Sequence, residues 1–148
     1  MPHHTDPHAN DPHDDRSHME QRPETIEEYR ATYEELVGFV PPRVQARFAA
    51  SSEANPEALL AQERLRNLIM YPEVLDQKTV QLVLFGILHA KLSDAAKLHG
   101  LAARRAGASW EELRAVIDLA FLFTGFSAAN RGPHLLAEIA QMETRTHE

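Results

Sequence analysis

The chain has 148 residues, of which 43% are hydrophobic, and a formal net charge of −7, which suits one domain with a buried core. The negative charge argues against nucleic-acid binding, which needs a basic surface, and no apolar run reaches the roughly 18 residues of a membrane span. The polar N-terminus lacks the apolar segment of a signal peptide, so we expect a soluble cytoplasmic protein that binds neither nucleic acid nor a membrane.

The first predicted unit is a tail, residues 1–22, which is rich in His and Asp and almost free of apolar residues. Such a segment cannot bury enough surface to offset the entropy lost on ordering, so we expect it to be disordered. Its histidines could bind a transition metal, but a solvated tail is the simpler interpretation. The second predicted unit, residues 23–148, is a helical domain.

Periodicity and end signals divide this domain into six or seven helices, and we find no convincing strand, so the predicted fold class is all-α. The first helix follows Pro23 and ends at Gly38, and residues 43–54 form a short helix or a pair of turns. Asn55 then caps a helix whose first residue is Pro56. The apolar residues of this helix that we expect to face inward are Leu59, Leu60, Leu65, Leu68 and Ile69.

The next helix is capped by Asp76 and is apolar on nearly all sides from residue 80 to 88, which predicts a buried helix. Ser93 is expected to cap the helix that follows, and Gly107 to end it. Residues 109–112, "SWEE", form a capping box that opens a further helix. The last helix is expected to begin at Pro133.

Two segments resemble the carboxymuconolactone decarboxylase family, within the alkyl hydroperoxidase D-like superfamily. They are "NPEALLAQERLRNLIMYPEVLDQKTVQLVLFGIL" and "KLHGLAARRAGASWEELRAVIDLAFLFTGFSAA", and together they cover about residues 55–129. The resemblance implies an alkyl hydroperoxidase D-like helical domain in which a pair of helices forms the site. It also implies a homo-oligomer, often a trimer or a hexamer of trimeric build.

The chain departs from this family's pattern at three positions. Aligned on His99, the Cys-x-x-Cys positions of the peroxidase branch hold Leu92 and Ala95, and the chain contains no cysteine, so we expect no thiol peroxidase activity. The decarboxylase branch often has a Glu at the position of Ala95. A second family acid, near the start of the buried helix, corresponds most nearly to Gln81.

His99 is the predicted centre of the site, because it occupies the catalytic position that the resemblance implies. Alanines surround it at helical spacing, which leaves room for a facing helix, and an imidazole suits general acid–base catalysis near neutral pH. His89, at the end of the buried helix, is the second predicted catalytic residue. The simpler interpretations are a core histidine for His99 and a helix-terminal histidine for His89.

Three further residues are candidates for substrate binding. Gln81 is the only polar residue of the buried stretch and could orient a histidine or a substrate carboxylate. Arg64 and Arg66 could each bind a carboxylate through two hydrogen bonds, although most such arginines are solvated. A metal site made of His89, His99 and His134 is a minor alternative, and we predict neither a metal nor a cofactor.

These residues leave two functions open. The first is a cofactor-free general acid–base enzyme, which would decarboxylate or isomerise a small lactone, keto acid or aromatic acid. The second is a non-catalytic binding or assembly protein on the same scaffold, which the missing cysteines and acids favour. In both cases the apolar segment "AVIDLAFLFTGF" predicts a homo-oligomer, because it is larger than one small domain readily covers.

Overall fold

The computed structural model describes residues 22–146, and all regular elements in this range are helices. The all-α prediction, with six or seven helices, is therefore confirmed, since residues 22–146 form seven helices. The tail predicted over residues 1–22 lies outside the described residues, apart from Arg22. The helices are α1 (Ile26–Val37), α2 (Pro42–Ala54), α3 (Pro56–Met70), α4 (Gln77–Ala90), α5 (Ala96–Arg105), α6 (Trp110–Thr124) and α7 (Phe126–Thr146).

Side-chain caps set the start of most of these helices, because they satisfy backbone N–H groups that have no partner in the first turn. The side chains of Asn55 and Asp76 accept hydrogen bonds from backbone N–H groups at the starts of α3 and α4. Ser109 and Glu112 form the predicted capping box of α6. Gly38 ends α1 in the left-handed conformation, with φ 87°.

Two predicted helix starts are wrong. The Ser93 side chain accepts a hydrogen bond from Ala95 N within the turn, and α5 begins only at Ala96, without a side-chain cap. Helix α7 begins at Phe126 and contains Pro133 in its interior. Tertiary packing holds the turn before this proline, since a Cβ on buried Gly132 would lie 2.5 Å from the Ile117 side chain.

Two groups of buried side chains hold the helices together. The larger core joins α4, α5, α6 and α7 around Phe85, Leu101, Leu113 and Ile139. The smaller core joins α1, α2 and α3. It consists of Tyr29, Tyr33, Val40, Phe48 and Leu59. The candidate site lies where α1 and α3 approach α4 and α5.

Apolar side chains on two helices remain exposed in the single chain. Of the five α3 residues predicted to face inward, Leu59 is fully buried. Three others are 58–67% exposed, namely Leu65, Leu68 and Ile69. The prediction that these three residues face the domain core is wrong, because α3 packs mainly on α2. On α6, Leu122 and Phe123 are 68% and 93% exposed. None of the described helices combines the length and hydropathy needed to cross a membrane.

Candidate functional site

His99 and Gln81 form a hydrogen bond between the two helices that pack most closely. The Nδ1 atom of His99 on α5 lies 2.8 Å from the Oε1 atom of Gln81 on α4. Gln81 is fully buried, and its Nε2 atom donates to Gln77 Oε1 at 3.3 Å and to Met70 Sδ at 3.4 Å. Both polar atoms of the Gln81 amide thus have partners. The Nε2 contacts fix the amide, and its oxygen then holds the imidazole in one orientation.

This hydrogen bond determines which ring nitrogen of His99 carries the proton. Because an amide oxygen can only accept, Nδ1 must donate, which leaves Nε2 with a free lone pair. No hydrogen bond to Nε2 is present among residues 22–146. Burial, together with the positive charge of Arg66, lowers the pKa of His99 to about 4. At neutral pH the ring is therefore an uncharged base.

Arg66 is the cation whose charge acts on this imidazole, and its guanidinium is partly unsatisfied. The group stacks on the ring of Tyr33 with 4.0 Å between Cζ and the ring centroid. Its Nη1 atom lies 3.9 Å from Glu63 Oε2, which is too long for a hydrogen bond. Nη1 is buried and has no hydrogen-bond partner in the described part of the chain. Arg66 therefore keeps one buried strong donor without a partner among residues 22–146, and its charge acts on His99.

Glu63 is a buried carboxylate that other groups already satisfy. Both of its oxygens accept from the Tyr33 hydroxyl at 3.1 Å, and Oε1 also pairs with Arg47. Arg47 donates to the Tyr33 oxygen as well, at 3.2 Å. Burial raises the pKa of Tyr33 to about 12, so the hydroxyl keeps its proton. This cluster fixes Glu63 and Tyr33, which in turn hold Arg66.

An open groove of about 1160 Å³ passes Gln81 on the outside of the α4–α5 pair. Gln77, Tyr71, Trp110 and Arg105 also line this groove, whereas His99 is not among its lining residues. Tyr71 is 38% exposed, and its partial burial raises the pKa of its hydroxyl, which therefore stays protonated at neutral pH. The groove is wide enough for a small organic molecule beside Gln81.

The structure does not bring His89 to His99. His89 is fully buried and lies two helical turns beyond Gln81 on α4, a rise of about 12 Å. Its ring stacks on Phe85, with centroids 6.0 Å apart. The backbone of Ala128 approaches the ring, but neither ring nitrogen makes a hydrogen bond of good geometry within residues 22–146. Burial lowers the pKa of His89, so this ring is neutral as well.

Arg64 and His134 also lie away from His99. Arg64 is exposed and lines a second groove, between α1 and α3. The His134 side chain is 76% exposed and lies 3.9 Å from Glu138. No cluster of three metal-ligating side chains occurs among the described residues, which include His89, His99 and His134.

The structure thus groups His99 with two of the predicted binding residues, Gln81 and Arg66. Sequence reasoning missed the neighbouring group of Tyr33, Arg47 and Glu63. A signal for Glu63 was available, because it follows Leu59 by four residues and therefore lies on the buried face of α3. No comparable signal indicates Arg47, because its contact with Glu63 joins different helices.

Comparison with known proteins gives one match. The model of the carboxymuconolactone decarboxylase family matches residues 56–138, which is more than half of the chain. This range contains α3, α4, α5 and α6, and therefore His99, Gln81 and Arg66. No curated protein and no solved structure matches the chain.

Proposed function

Because this chain belongs to the carboxymuconolactone decarboxylase family, we propose that it is a cofactor-free general acid–base enzyme. Its substrate is a small lactone, keto acid or aromatic acid, which it isomerises or decarboxylates in the cytoplasm. The observation that carries this proposal is the hydrogen bond from His99 to Gln81, which leaves Nε2 as an uncharged base.

In an isomerisation, His99 Nε2 takes a proton from a substrate carbon next to a carbonyl group. The C–H electron pair moves into the carbonyl, which becomes an enolate, and the protonated ring returns the proton at another carbon. Gln81 acts as a positioning residue, because it touches the ring and not the reacting atoms. The lowered pKa of His99 keeps this base unprotonated before the substrate binds, and it also makes the base weaker than an ordinary histidine.

In a decarboxylation, the bond between the substrate carbon and its carboxylate breaks, and carbon dioxide leaves. The electron pair stays on the substrate as an enolate, which an acid then protonates at carbon. For this step His99 must already carry a proton on Nε2, which its lowered pKa disfavours at neutral pH. The site therefore supports the isomerisation better than the decarboxylation.

A non-catalytic binding protein is the second candidate function. It is favoured by Ala95 and Gln81, which stand where the family resemblance leads us to expect carboxylates. In this case the bond between Gln81 and His99 only satisfies a buried imidazole. With either function we propose a homo-oligomer, a trimer or a hexamer, because Leu122 and Phe123 on α6 are largely exposed.

Turnover measurements on two histidine variants test the choice between these functions. Small lactones, keto acids and aromatic acids are incubated with the protein, and products are detected by mass spectrometry. An enzyme centred on His99 is expected to lose about 100- to 10,000-fold in turnover in His99→Gln and to keep it in His134→Gln, the exposed control. No turnover in the wild type would favour the binding protein, whereas equal turnover in both variants would show that His99 is not the catalytic residue.

A further inference from the structure

We propose that Arg66 forms a carboxylate subsite beside His99, and that this subsite selects substrates with one negative charge. The inference rests on the proposed function only in placing the reacting part of the substrate at His99. It adds the substrate class, a monoanionic organic acid, and names the group that binds its charge.

Arg66 has a hydrogen-bond donor without a partner in the part of the chain that the structure describes. Arg66 Nη1 is buried without a hydrogen-bond partner among residues 22–146, although its side chain as a whole is 20% exposed. A buried N–H without a partner costs about 1–3 kcal/mol, and more for a charged group. A ligand carboxylate would remove this cost, because its oxygens match the donor geometry of a guanidinium. Because the side chain is 20% exposed, a small outward movement of the guanidinium would bring Nη1 to such a ligand.

The side chains of Arg47, Glu63 and Arg66 together carry a net positive charge. Glu63 is the buried carboxylate nearest to Arg66, but it pairs with Arg47 and accepts from Tyr33. Its distance to Arg66 Nη1, 3.9 Å, exceeds a hydrogen bond. Arg47 and Arg66 thus share one carboxylate, and His99 is neutral, so these groups carry one unbalanced positive charge. A ligand with one negative charge balances it, whereas a second negative charge would face Glu63.

The Tyr33 ring holds the guanidinium of Arg66 in place. Its Cζ atom lies over the Tyr33 ring, 4.0 Å from the ring centroid, and the Tyr33 hydroxyl is itself fixed between Arg47 and Glu63. A planar donor held in this way is arranged for a carboxylate before the ligand arrives. Little side-chain entropy is then lost on binding. Arg64, two residues earlier on α3, is exposed and has none of these contacts.

Binding at this subsite would also change His99. The charge of Arg66 now contributes to the lowered pKa of the imidazole. A bound carboxylate neutralises that charge and adds an opposite one, so it is expected to raise the pKa of His99 towards its ordinary value. The base thus becomes stronger once an anionic substrate is in place.

The test uses benzoate as the probe, followed through the NMR signals of the His99 ring in the full chain. These signals are identified by their loss in His99→Gln. Benzoate is expected to shift them saturably, whereas benzamide, its neutral analogue, is not. In Arg66→Gln the affinity for benzoate should fall by about 10- to 100-fold, since a charged hydrogen bond is lost. The matched control Arg64→Gln should bind like the wild type.

Three results would overturn the subsite: no saturable shift in the wild type, equal affinity for benzamide, or equal weakening in Arg64→Gln and Arg66→Gln. If Arg66→Gln fails to fold, the wild type alone decides, because saturating benzoate must raise the pKa of His99. An unchanged pKa contradicts the proposal. Failure of the proposed function is a different result, in which benzoate binds normally but no substrate is turned over.

Discussion

The imidazole of His99 is held by an amide, since its Nδ1 atom lies 2.8 Å from Gln81 Oε1. An amide fixes the ring and its tautomer without adding a negative charge. A carboxylate at the same place would stabilise the protonated ring, so it would raise the pKa of the histidine. The neutral partner is consistent with the lowered pKa of His99, which burial and Arg66 cause.

The substitution Gln81→Glu tests this relationship directly. Glu is similar in size to Gln, but its carboxylate carries a charge opposite to that of the imidazolium. It should therefore raise the pKa of His99 by about 1–3 units. The acid limb of any activity profile should then move to higher pH. An NMR titration of the ring measures the shift, with His89 as an internal control two turns away on α4. An unchanged His99 pKa would show that the hydrogen bond does not form in solution.

The stability of the fold should decrease as the pH falls from about 6.5 towards 4. In the unfolded chain a histidine takes up a proton near pH 6.5, whereas folded His99 does so only near pH 4. The unfolded state therefore binds more protons in this window, and the free energy of unfolding falls with decreasing pH. One such group contributes at most about 1.4 kcal/mol per pH unit.

Urea denaturation at pH 7 and pH 5 measures this effect. His99→Gln should make the pH dependence shallower, and the remaining dependence should include His89, whose pKa burial also lowers. The exposed variant His134→Gln serves as the control. An equal pH dependence in His99→Gln and the wild type would show that His99 titrates alike in both states.

The purified protein is expected to be an oligomer, because large apolar side chains on α3 and α6 are exposed in the single chain. Phe123→Asp places a charge on the most exposed of them and should cause dissociation. Arg114→Asp introduces the same residue at a polar position of α6 and should leave the assembly intact. Light scattering measures both. A wild-type mass of 16.7 kDa would contradict this prediction.

Glu63→Gln should destabilise the fold by about 1–3 kcal/mol, because it leaves the buried end of Arg47 without its counter-ion. The partial exposure of Arg47 allows water to reduce this cost. The exposed change Glu53→Gln should have little effect. Thermal melting followed by circular dichroism compares the two variants. A similar melting temperature for both would indicate that the ion pair contributes little to stability.

The sequence predicted those parts of the fold that local chemistry determines. Caps at Asn55, Asp76 and Ser109 gave three helix starts correctly, because such signals act within one turn. The pairing of Gln81 with a histidine was also foreseen as one of its possible roles. The start of α7 was not, because packing of Gly132 on α6 outweighs the local effect of a proline.

Other features depend on contacts between helices, which periodicity does not reveal. The sequence predicts that the apolar stripe on α3 faces the core, but Leu65 and Leu68 are exposed in the single chain. Periodicity identifies a face that avoids water and does not distinguish a core from an interface. The approach of Arg47 to Glu63 likewise brings together residues from α2 and α3.

The two exposed apolar stripes, on α3 and α6, constrain the symmetry of any assembly. If α6 pairs with α6 of another copy, the contact is isologous, and a two-fold dimer results. If α3 of one copy instead covers α6 of the next, the contact is heterologous. In an open row of copies, the first and the last copy then each keep one uncovered apolar stripe. Such a contact must close into a ring, because an open one would continue as a filament.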